Sequence, residues 1–283
     1  MPEPLTIPQL NRIASQVRRD IVRMVHSAQS GHPGGSLGCT DFMVAMYFRI
    51  LKHNPNFKPD GTGEDVFFLS NGHISPVWYS VLARNKYFDL EELNTFRKIN
   101  SRLQGHPATK EGLPGVRVAS GSLGQGLSVA VGAALSKKLN GDNHMVYVLM
   151  GDGEQQEGQI WEATMFAAHN KVDNLIATVD YNGQQIDGPV DSINTLGNLR
   201  AKYEAFNWEV IESEGNDMND VISSMTLAKS LAGRGKPVIN LMNTEMGKGV
   251  DFMEGTHKWH GIPPNDEQLA SALSQLDETL GDY

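Results

Sequence analysis

The chain has 283 residues, a length that accommodates one large α/β domain without requiring a second. Its formal net charge is −9 and its basic residues form no cluster, which argues against nucleic acid or an anionic membrane surface as the main partner. The single cysteine, Cys39, excludes an internal disulfide framework and indicates a reducing compartment. The N-terminus lacks the apolar core of a signal peptide, and no stretch approaches the roughly 18 apolar residues of a membrane helix, so we expect a soluble cytoplasmic protein.

Apolar spacing and turn residues predict a chain in which helices and strands alternate. The first helix, near 8–28, carries Ile13, Val17 and Ile21 at helical spacing, and a glycine-rich loop, SGHPGGSLG (30–38), follows it. The other predicted helices lie near 40–52, at 127–139 before Asn140-Gly141, at 159–171 and, with a leucine stripe, at 266–280. The predicted strands are VFFLS (66–70), MVYVLM (145–150), LIATVD (175–180) and PVINLMNT (237–244).

The predicted strands are short, do not alternate apolar with polar residues, and are separated by helices. This pattern is typical of a three-layer α/β/α fold with a mostly parallel sheet covered on both faces. We interpret residues 1–283 as a single domain that ends in a helical tail. In such sheets the ligand binds beyond the carboxyl ends of the strands. Glycine-rich turns follow the predicted strands at those ends: NGH (71–73), GDG (151–153), YNG (181–183) and MGKG (246–249).

The turn Gly151-Asp152-Gly153 combines a carboxylate with two residues whose missing side chains let a ligand approach the backbone closely. The N-terminus of the following helix favours an anion such as a diphosphate, which Asp152 would repel unless a cation lay between them. Magnesium prefers hard oxygen ligands, and Asn182, 30 positions further on and past the next strand, offers a second one. The alternative is structural: Asp152 would cap a helix and Asn182 would form a turn.

Other glycine-rich motifs do not match a nucleotide-binding site. Several histidines adjoin glycine-marked turns. GSLGQG (121–126) does not have the G-x-G-x-x-G spacing of a dinucleotide-binding loop, and GRGKP (233–237) ends in proline where a phosphate-binding loop needs serine or threonine. A zinc site at His257 and His260 lacks clustered cysteine or carboxylate partners. Four histidines adjoin glycine-marked turns, where they can be structural or can bind sugar hydroxyls: His32, His73, His106 and His260.

Seven segments follow one another in an order that is specific to one family. They are SGHPGGSLG, LSNGHISPVWYS, GHP, GSLGQGLSVAVG, GDGEQQEGQIWEA, DNLIATVDYNGQQIDG and WHG. The sequence therefore resembles the N-terminal, diphosphate-binding portion of a transketolase over nearly its whole length. The resemblance implies the thiamine diphosphate-binding fold (PP domain), transfer of a two-carbon ketol unit from a ketose phosphate to an aldose phosphate, and a place in the pentose phosphate pathway.

The resemblance also implies roles for individual residues. Those implied to hold Mg²⁺ (or Ca²⁺ or Mn²⁺) are Asp152, Asn182 and the carbonyl of Gln184. Those implied to bind thiamine diphosphate are His73, Gly121, Ser122, Leu123, Asp152, Gly153, Asn182 and His260. Those implied to be catalytic are His32, His106 and His260. Glu157 and Glu162 resemble acids that face the subunit interface and the partner's cofactor-activating glutamate, whereas we expect Glu154 only to favour a helix N-terminus.

The sequence departs from the family pattern in three respects. Met246 stands where members often have lysine, and Gly35 stands where some carry serine. Members also usually exceed 600 residues, and their second domain carries the activating glutamate and the residues that grip the sugar phosphate. We therefore predict one subunit of a split transketolase that acts with a separately encoded C-terminal, pyrimidine-binding subunit in an α2β2 assembly. Alternatives are a piece of a longer protein, a subunit of another thiamine diphosphate enzyme (deoxyxylulose-phosphate synthase or ketoacid dehydrogenase type), and a non-catalytic module.

Overall fold

The computed structural model of the protein describes residues 4–283. The helices are α1 (Ile7–Ala28), α2 (Pro33–Gly38), α3 (Thr40–Ala45), α4 (Ser75–Arg84), α5 (Gln125–Leu139), α6 (Gly158–His169), α7 (Val190–Asn194), α8 (Leu199–Ala205), α9 (Met218–Leu231) and α10 (Asp266–Gln275). The strands are β1 (Val66–Leu69), β2 (Val146–Gly151), β3 (Leu175–Tyr181), β4 (Gln184–Gln185), β5 (Gly188–Pro189), β6 (Glu209–Glu214) and β7 (Val238–Asn243). A π-helical turn, Met46–Ile50, extends α3.

Five strands form a parallel sheet in the order β1-β2-β3-β7-β6, and the short strands β4 and β5 form an antiparallel hairpin. Gly151 at the end of β2 pairs with Asp180 near the end of β3, and Asp180 pairs with Met242 of β7. Because the strands run in the same direction, the segments that follow them meet at one edge of the sheet. We call this edge the carboxyl edge.

Alternate residues of each strand point into two apolar layers on opposite faces of the sheet. One layer contains Phe67 and Ile176 and packs against α1, α3, α4 and α9. The other contains Phe68 and Ala177 and packs against α5, α6 and α8. This arrangement confirms the predicted three-layer α/β/α fold with a parallel sheet.

The structure confirms the four predicted strands as β1, β2, β3 and β7, and it confirms helices at α1, α5 and α6. The fifth strand, β6, was not predicted. It lies at the edge of the sheet, where buried and exposed residues alternate and Glu212 and Glu214 are exposed, so it lacks a continuous apolar run. The helices α4, α8 and α9 are likewise absent from the predicted elements.

Two predicted segments differ in extent from the structure. The predicted loop at 30–38 contains α2, whose glycines permit close packing: a Cβ on Gly34 would lie 2.7 Å from Met246 Cγ. The predicted helix at 266–280 is too long, because α10 ends at Gln275 and the chain then runs along α1, where Arg19 donates to the Leu276 carbonyl (2.8 Å). Among residues 4–283, no helix has the length and apolar composition that a membrane crossing requires. The single-domain organisation stays a prediction.

Candidate cofactor and active site

A cavity of about 360 Å³ opens at the carboxyl edge of the sheet. This volume lies within the range of small-molecule binding sites. Most residues with a predicted role line it: His32, His73, His106, Gly121, Leu123, Asp152, Gly153, Glu157, Asn182, Gln184 and His260. Of the predicted residues in the described chain, Ser122 and Glu162 are exposed and lie outside this lining.

The register of the sheet brings Asp152 and Asn182 to the same cavity. Asp152 follows Gly151, whose partner in β3 is Asp180, and Asn182 lies two residues beyond Asp180. The amide of Asp152 continues the ladder by donating to the Asp180 carbonyl (3.1 Å). Parallel pairing therefore places residues that are 30 positions apart in sequence on adjacent strand ends.

Hydrogen bonds orient the oxygen atoms of this corner. The Asp152 carboxylate accepts from the backbone amides of Gly153 (2.7 Å) and Gly183 (2.6 Å). Asn182 Oδ1 accepts from the Gln184 amide (2.9 Å), which fixes the Gln184 peptide beside it. Each oxygen keeps a further lone pair, so the corner offers the hard ligands that a magnesium ion prefers. Within residues 4–283, no group of three His, Cys, Asp or Glu side chains is arranged to hold a metal, so a cation here would need backbone or non-protein ligands as well.

Several acidic side chains line the cavity. Burial, with a further contribution from Asp180, raises the pKa of Asp152 to about 7, and burial also raises the pKa of Asp180. Glu154 and Glu157 line the same cavity, whereas the lining described contains no lysine or arginine. A diphosphate would be repelled by these acids unless a cation lay between them. The residues present therefore fit a diphosphate bound together with a divalent metal.

His32 lies at the centre of a cluster of four histidines. Its ring centroid is 5.2 Å from that of His73, 6.0 Å from that of His106 and 5.5 Å from that of His260. Burial and the nearby His260 lower the pKa of His32 to about 3, and burial lowers the pKa of each of the other three rings. At neutral pH all four are uncharged, so each has one donor and one acceptor nitrogen for the hydroxyl groups of a bound molecule.

Several polar atoms of residues that line the cavity are buried and have no hydrogen-bond partner in the described chain: Asn71 Nδ2 and Oδ1, His32 Nδ1 and His260 Nδ1. An unpaired buried polar group costs roughly 1–3 kcal/mol, so a bound polar molecule that pairs with these atoms would stabilise the site. Glycine is required beside them at position 121. Gly121 has a φ of 117°, and a Cβ there would lie 2.7 Å from the His106 ring.

Glu154 does more than favour a helix N-terminus, so that expectation is wrong. Its side chain is buried and accepts hydrogen bonds from the Ser70 hydroxyl, the Gly124 amide (2.8 Å) and the Gly151 amide (3.0 Å). One carboxylate thus joins the segment after β1, the segment before α5 and the end of β2. The sequence shows only an acid beside a glycine turn, which gives no indication of these three partners.

The segment after the GDG turn also differs from expectation. A 3₁₀ turn, Gly153–Gln156, precedes α6, which begins at Gly158, so the N-terminus of α6 is not directly behind Asp152. Glu157, the residue before α6, and Glu162 on α6 are both exposed. Their interface role stays a prediction.

The two substituted family positions lie close to the cavity. A Cβ on Gly35 would lie 2.9 Å from Ile74 Cγ2, so a serine at this position would require a shift of that side chain. Met246 is buried, lines the cavity and packs against Gly34. It contributes apolar surface where a lysine would contribute a positive charge. The acidic side chains of the lining therefore have no lysine at this position to offset them.

Comparison with known proteins identifies relatives over nearly the whole chain. Residues 10–279 match the family model described as transketolase, thiamine diphosphate binding domain. The chain is 38% identical over 263 residues to an apulose-4-phosphate transketolase subunit of Phocaeicola vulgatus, covering 93% of this chain and 92% of that protein. It is 37% identical over 269 residues to a 6-deoxy-6-sulfo-D-fructose transketolase subunit of Clostridium sp. (strain MSTE9), covering 95% and 96% respectively.

Solved transketolase structures share the fold. The transketolase of Campylobacter jejuni superimposes with a TM-score of 0.88 at 35% identity, covering 96% of this chain and 43% of that one. The transketolase of Leishmania mexicana gives a TM-score of 0.87 at 31% identity, covering 94% and 41%. This chain therefore spans less than half the length of these transketolases and nearly the whole length of the two subunits.

Proposed function

This chain belongs to the transketolase family, as its thiamine diphosphate binding domain, and from that premise we propose that it is the N-terminal subunit of a split transketolase. Its activity is transfer of a two-carbon ketol unit from a ketose donor to an aldose acceptor. The family and the thiamine diphosphate-binding fold predicted from the sequence are confirmed by the match over residues 10–279 and by the superimposed transketolases.

The observation that carries the proposal is the meeting of Asp152, Asn182 and the four-histidine cluster in one cavity. Asp152, Asn182 and the Gln184 carbonyl would hold Mg²⁺, because they offer oriented oxygens in an acidic corner. When bound, thiamine diphosphate supplies a nucleophilic carbon and an electron sink for cleavage of the bond beside the ketose carbonyl. Gly153 and His73 would also contact this cofactor.

The remaining histidines would act on the sugar. His32, His106 and His260 carry uncharged rings, so they would orient the hydroxyl groups of the sugar by donating and accepting hydrogen bonds. Nδ1 of His32 and of His260 has no partner in the described chain, which leaves both atoms available to a bound molecule. Gly121 and Leu123, which also line the cavity, would pack against the cofactor.

A separately encoded C-terminal subunit would complete the site. Support comes from chain lengths, because the relatives of matching length are named as subunits whereas the superimposed transketolases are more than twice as long. Met165 and Phe166 on α6 are 58% and 51% exposed beside Glu162, which is a suitable apolar contact for a partner. We propose that the partner covers this face, places its acid near Glu157 and forms an α2β2 assembly.

The substrates are proposed to be anionic sugars. The two relatives are named for apulose-4-phosphate and for 6-deoxy-6-sulfo-D-fructose, which carry a phosphate and a sulfo group. The described lining of the cavity in this chain has no lysine or arginine with which to bind such a group. The basic residues for the anionic end of the sugar would therefore come from the partner subunit.

The test is a ketol-transfer assay with this chain, with its partner and with the two together, in the presence of thiamine diphosphate and Mg²⁺. We expect turnover of ketose phosphates only when both subunits, the cofactor and the metal are present. Substantial turnover by this chain alone would refute the split site. Consumption of pyruvate in place of a ketose donor would assign the assembly to another class of thiamine diphosphate enzyme.

A further inference from the structure

Asn71 is a buried polar residue whose side chain is left without partners. It follows β1, is 1% exposed and lines the cavity. Neither Nδ2 nor Oδ1 has a hydrogen-bond partner within residues 4–283. Its backbone carbonyl accepts from the Ile74 amide (3.0 Å) in the turn Gly72–Ile74, and its side chain makes no capping hydrogen bond to that turn. The side chain is therefore not needed to form the turn.

A buried asparagine with a structural role looks different in this chain. Asn240 in β7 is also 1% exposed, and its Oδ1 accepts a hydrogen bond from the Ser213 hydroxyl (3.0 Å) of the neighbouring strand β6. Removing an amide from water without such a bond is destabilising, and native structures rarely retain it. The unpaired state of Asn71 thus points to a ligand that supplies both a donor and an acceptor.

The position of Asn71 indicates which part of a ligand it meets. A Cβ on Gly151 would lie 3.9 Å from Asn71 Cβ and 4.0 Å from Glu154 Cβ, so Asn71 adjoins the GDG turn. In the sheet, β2 lies between β1 and β3. Asp152 at the end of β2 is therefore flanked by Asn71 after β1 and by Asn182 after β3.

The composition of the cavity lining indicates that the Asn71 amide group binds an anion. The described lining has four carboxylates and no lysine or arginine, so its own donors to an anion are uncharged. Asn71 Nδ2 is such a donor, unpaired and beside the GDG turn, and the amide adds no further negative charge. We infer that Asn71 binds the diphosphate of the cofactor, with Nδ2 donating to a phosphate oxygen and Oδ1 accepting from a water or hydroxyl. This inference rests on the proposed function.

The experiment compares Asn71→Leu and Asn71→Asp with Asn240→Leu as the matched control. Thermal unfolding is measured on this chain without ligand, and affinity for thiamine diphosphate with Mg²⁺ is measured by calorimetry on the chain assembled with its partner subunit. Inorganic diphosphate with Mg²⁺ serves as a second probe that lacks the thiazolium and pyrimidine rings.

We expect Asn71→Leu to raise the midpoint of unfolding by about 2–5 °C, because an unpaired buried amide is removed. The same variant should weaken binding of thiamine diphosphate and of inorganic diphosphate by about 10- to 100-fold, because a hydrogen bond to a charged group is lost. Asn71→Asp should weaken both further, because it places another acid beside the phosphates. Asn240→Leu should lower the unfolding midpoint and leave both affinities unchanged.

The inference is overturned if either Asn71 variant binds both probes as tightly as the wild type. It is also overturned if Asn71→Leu lowers the unfolding midpoint as the Asn240 control does, since Asn71 would then be structural. A wild-type protein that binds inorganic diphosphate but not thiamine diphosphate would refute the proposed function alone, and the Asn71 variants would be judged on inorganic diphosphate. Failure of the wild type to bind either probe would refute both.

Discussion

Acidic side chains have opposite surroundings at two places in this protein. Along α1, Asp20 accepts two hydrogen bonds from Arg84, and Asp282 near the end of the chain pairs with Arg19 at 2.7 Å. The bond from Arg19 lowers the pKa of Asp282 to about 2. At the carboxyl edge, burial raises the pKa of Asp152 to about 7, and the described lining has no lysine or arginine.

The difference distinguishes acids that stabilise the fold from acids whose charge a bound cation would balance. A carboxylate beside an arginine has its charge balanced by that cation and holds two chain segments together, as at Asp20, although burial raises the pKa of Asp20. A buried carboxylate without a cation is unfavourable in the unliganded protein, and a bound cation removes that cost. Four substitutions sharpen this comparison, and they are given from the largest expected effect to the smallest.

Asp20→Ala should reduce stability most. It leaves the Arg84 side chain, which is 6% exposed, without its carboxylate partner. Removing one member of a buried ion pair costs about 3–5 kcal/mol, which urea denaturation would measure as a loss in the free energy of unfolding. The affinity of the folded fraction for thiamine diphosphate should not change. A loss below about 1 kcal/mol would show that this pair is not a structural anchor.

Asp152→Ala should mainly reduce cofactor affinity, whereas Asp20→Ala should mainly reduce stability. In the assembled enzyme we expect Mg²⁺-dependent affinity for thiamine diphosphate to fall at least 100-fold, or about 3 kcal/mol, by calorimetry. The free energy of unfolding without ligand should change little at neutral pH, because removal of an acid buried without a cation offsets the loss of the hydrogen bonds from the Gly153 and Gly183 amides. Asp20→Ala is the matched control. Unchanged affinity would remove Asp152 from the metal site.

Asp282→Asn tests the paired acid by its pH dependence. The pKa of Asp282 is depressed in the folded state, from an ordinary value near 3.8 to about 2. Its contribution to stability is therefore present above about pH 4 and is lost as the pH falls towards 2. We expect the variant to be less stable by about 2 kcal/mol at pH 6, with a difference that shrinks on acidification. A pH-independent difference would contradict the ion-pair origin.

Glu157→Gln should have the smallest effect on the fold, because Glu157 is exposed. The free energy of unfolding should change by less than about 0.5 kcal/mol. If Glu157 faces the partner subunit, assembly or cofactor activation should weaken by about tenfold, as measured by titration of one subunit with the other and by turnover. The matched control is Glu267→Gln on α10, where no change is expected. Wild-type assembly and turnover in Glu157→Gln would refute the interface role.

The central strands and the pair Asp152–Asn182 could be predicted from the sequence for one physical reason. Strands covered on both faces are mostly apolar, so β1, β2, β3 and β7 appear as nearly continuous apolar runs. Parallel strands place their carboxyl ends together, so polar residues just after those runs must converge. The edge strand β6 could not be predicted in this way, because it is buried only at alternate positions.

The sequence by itself determined the layered fold, through local apolar patterns, and the family, through its resemblance in seven ordered segments. It also indicated most residues of the cavity lining, because glycine-marked turns follow the strands. Only the tertiary structure decided which polar atoms are paired. Glu154 proved to join three segments, and Asn71 proved to have no partner in the described chain, although both simply follow apolar strands in the sequence. Hydrogen-bond satisfaction depends on groups that are distant in the chain, so it emerges only when the segments are packed together.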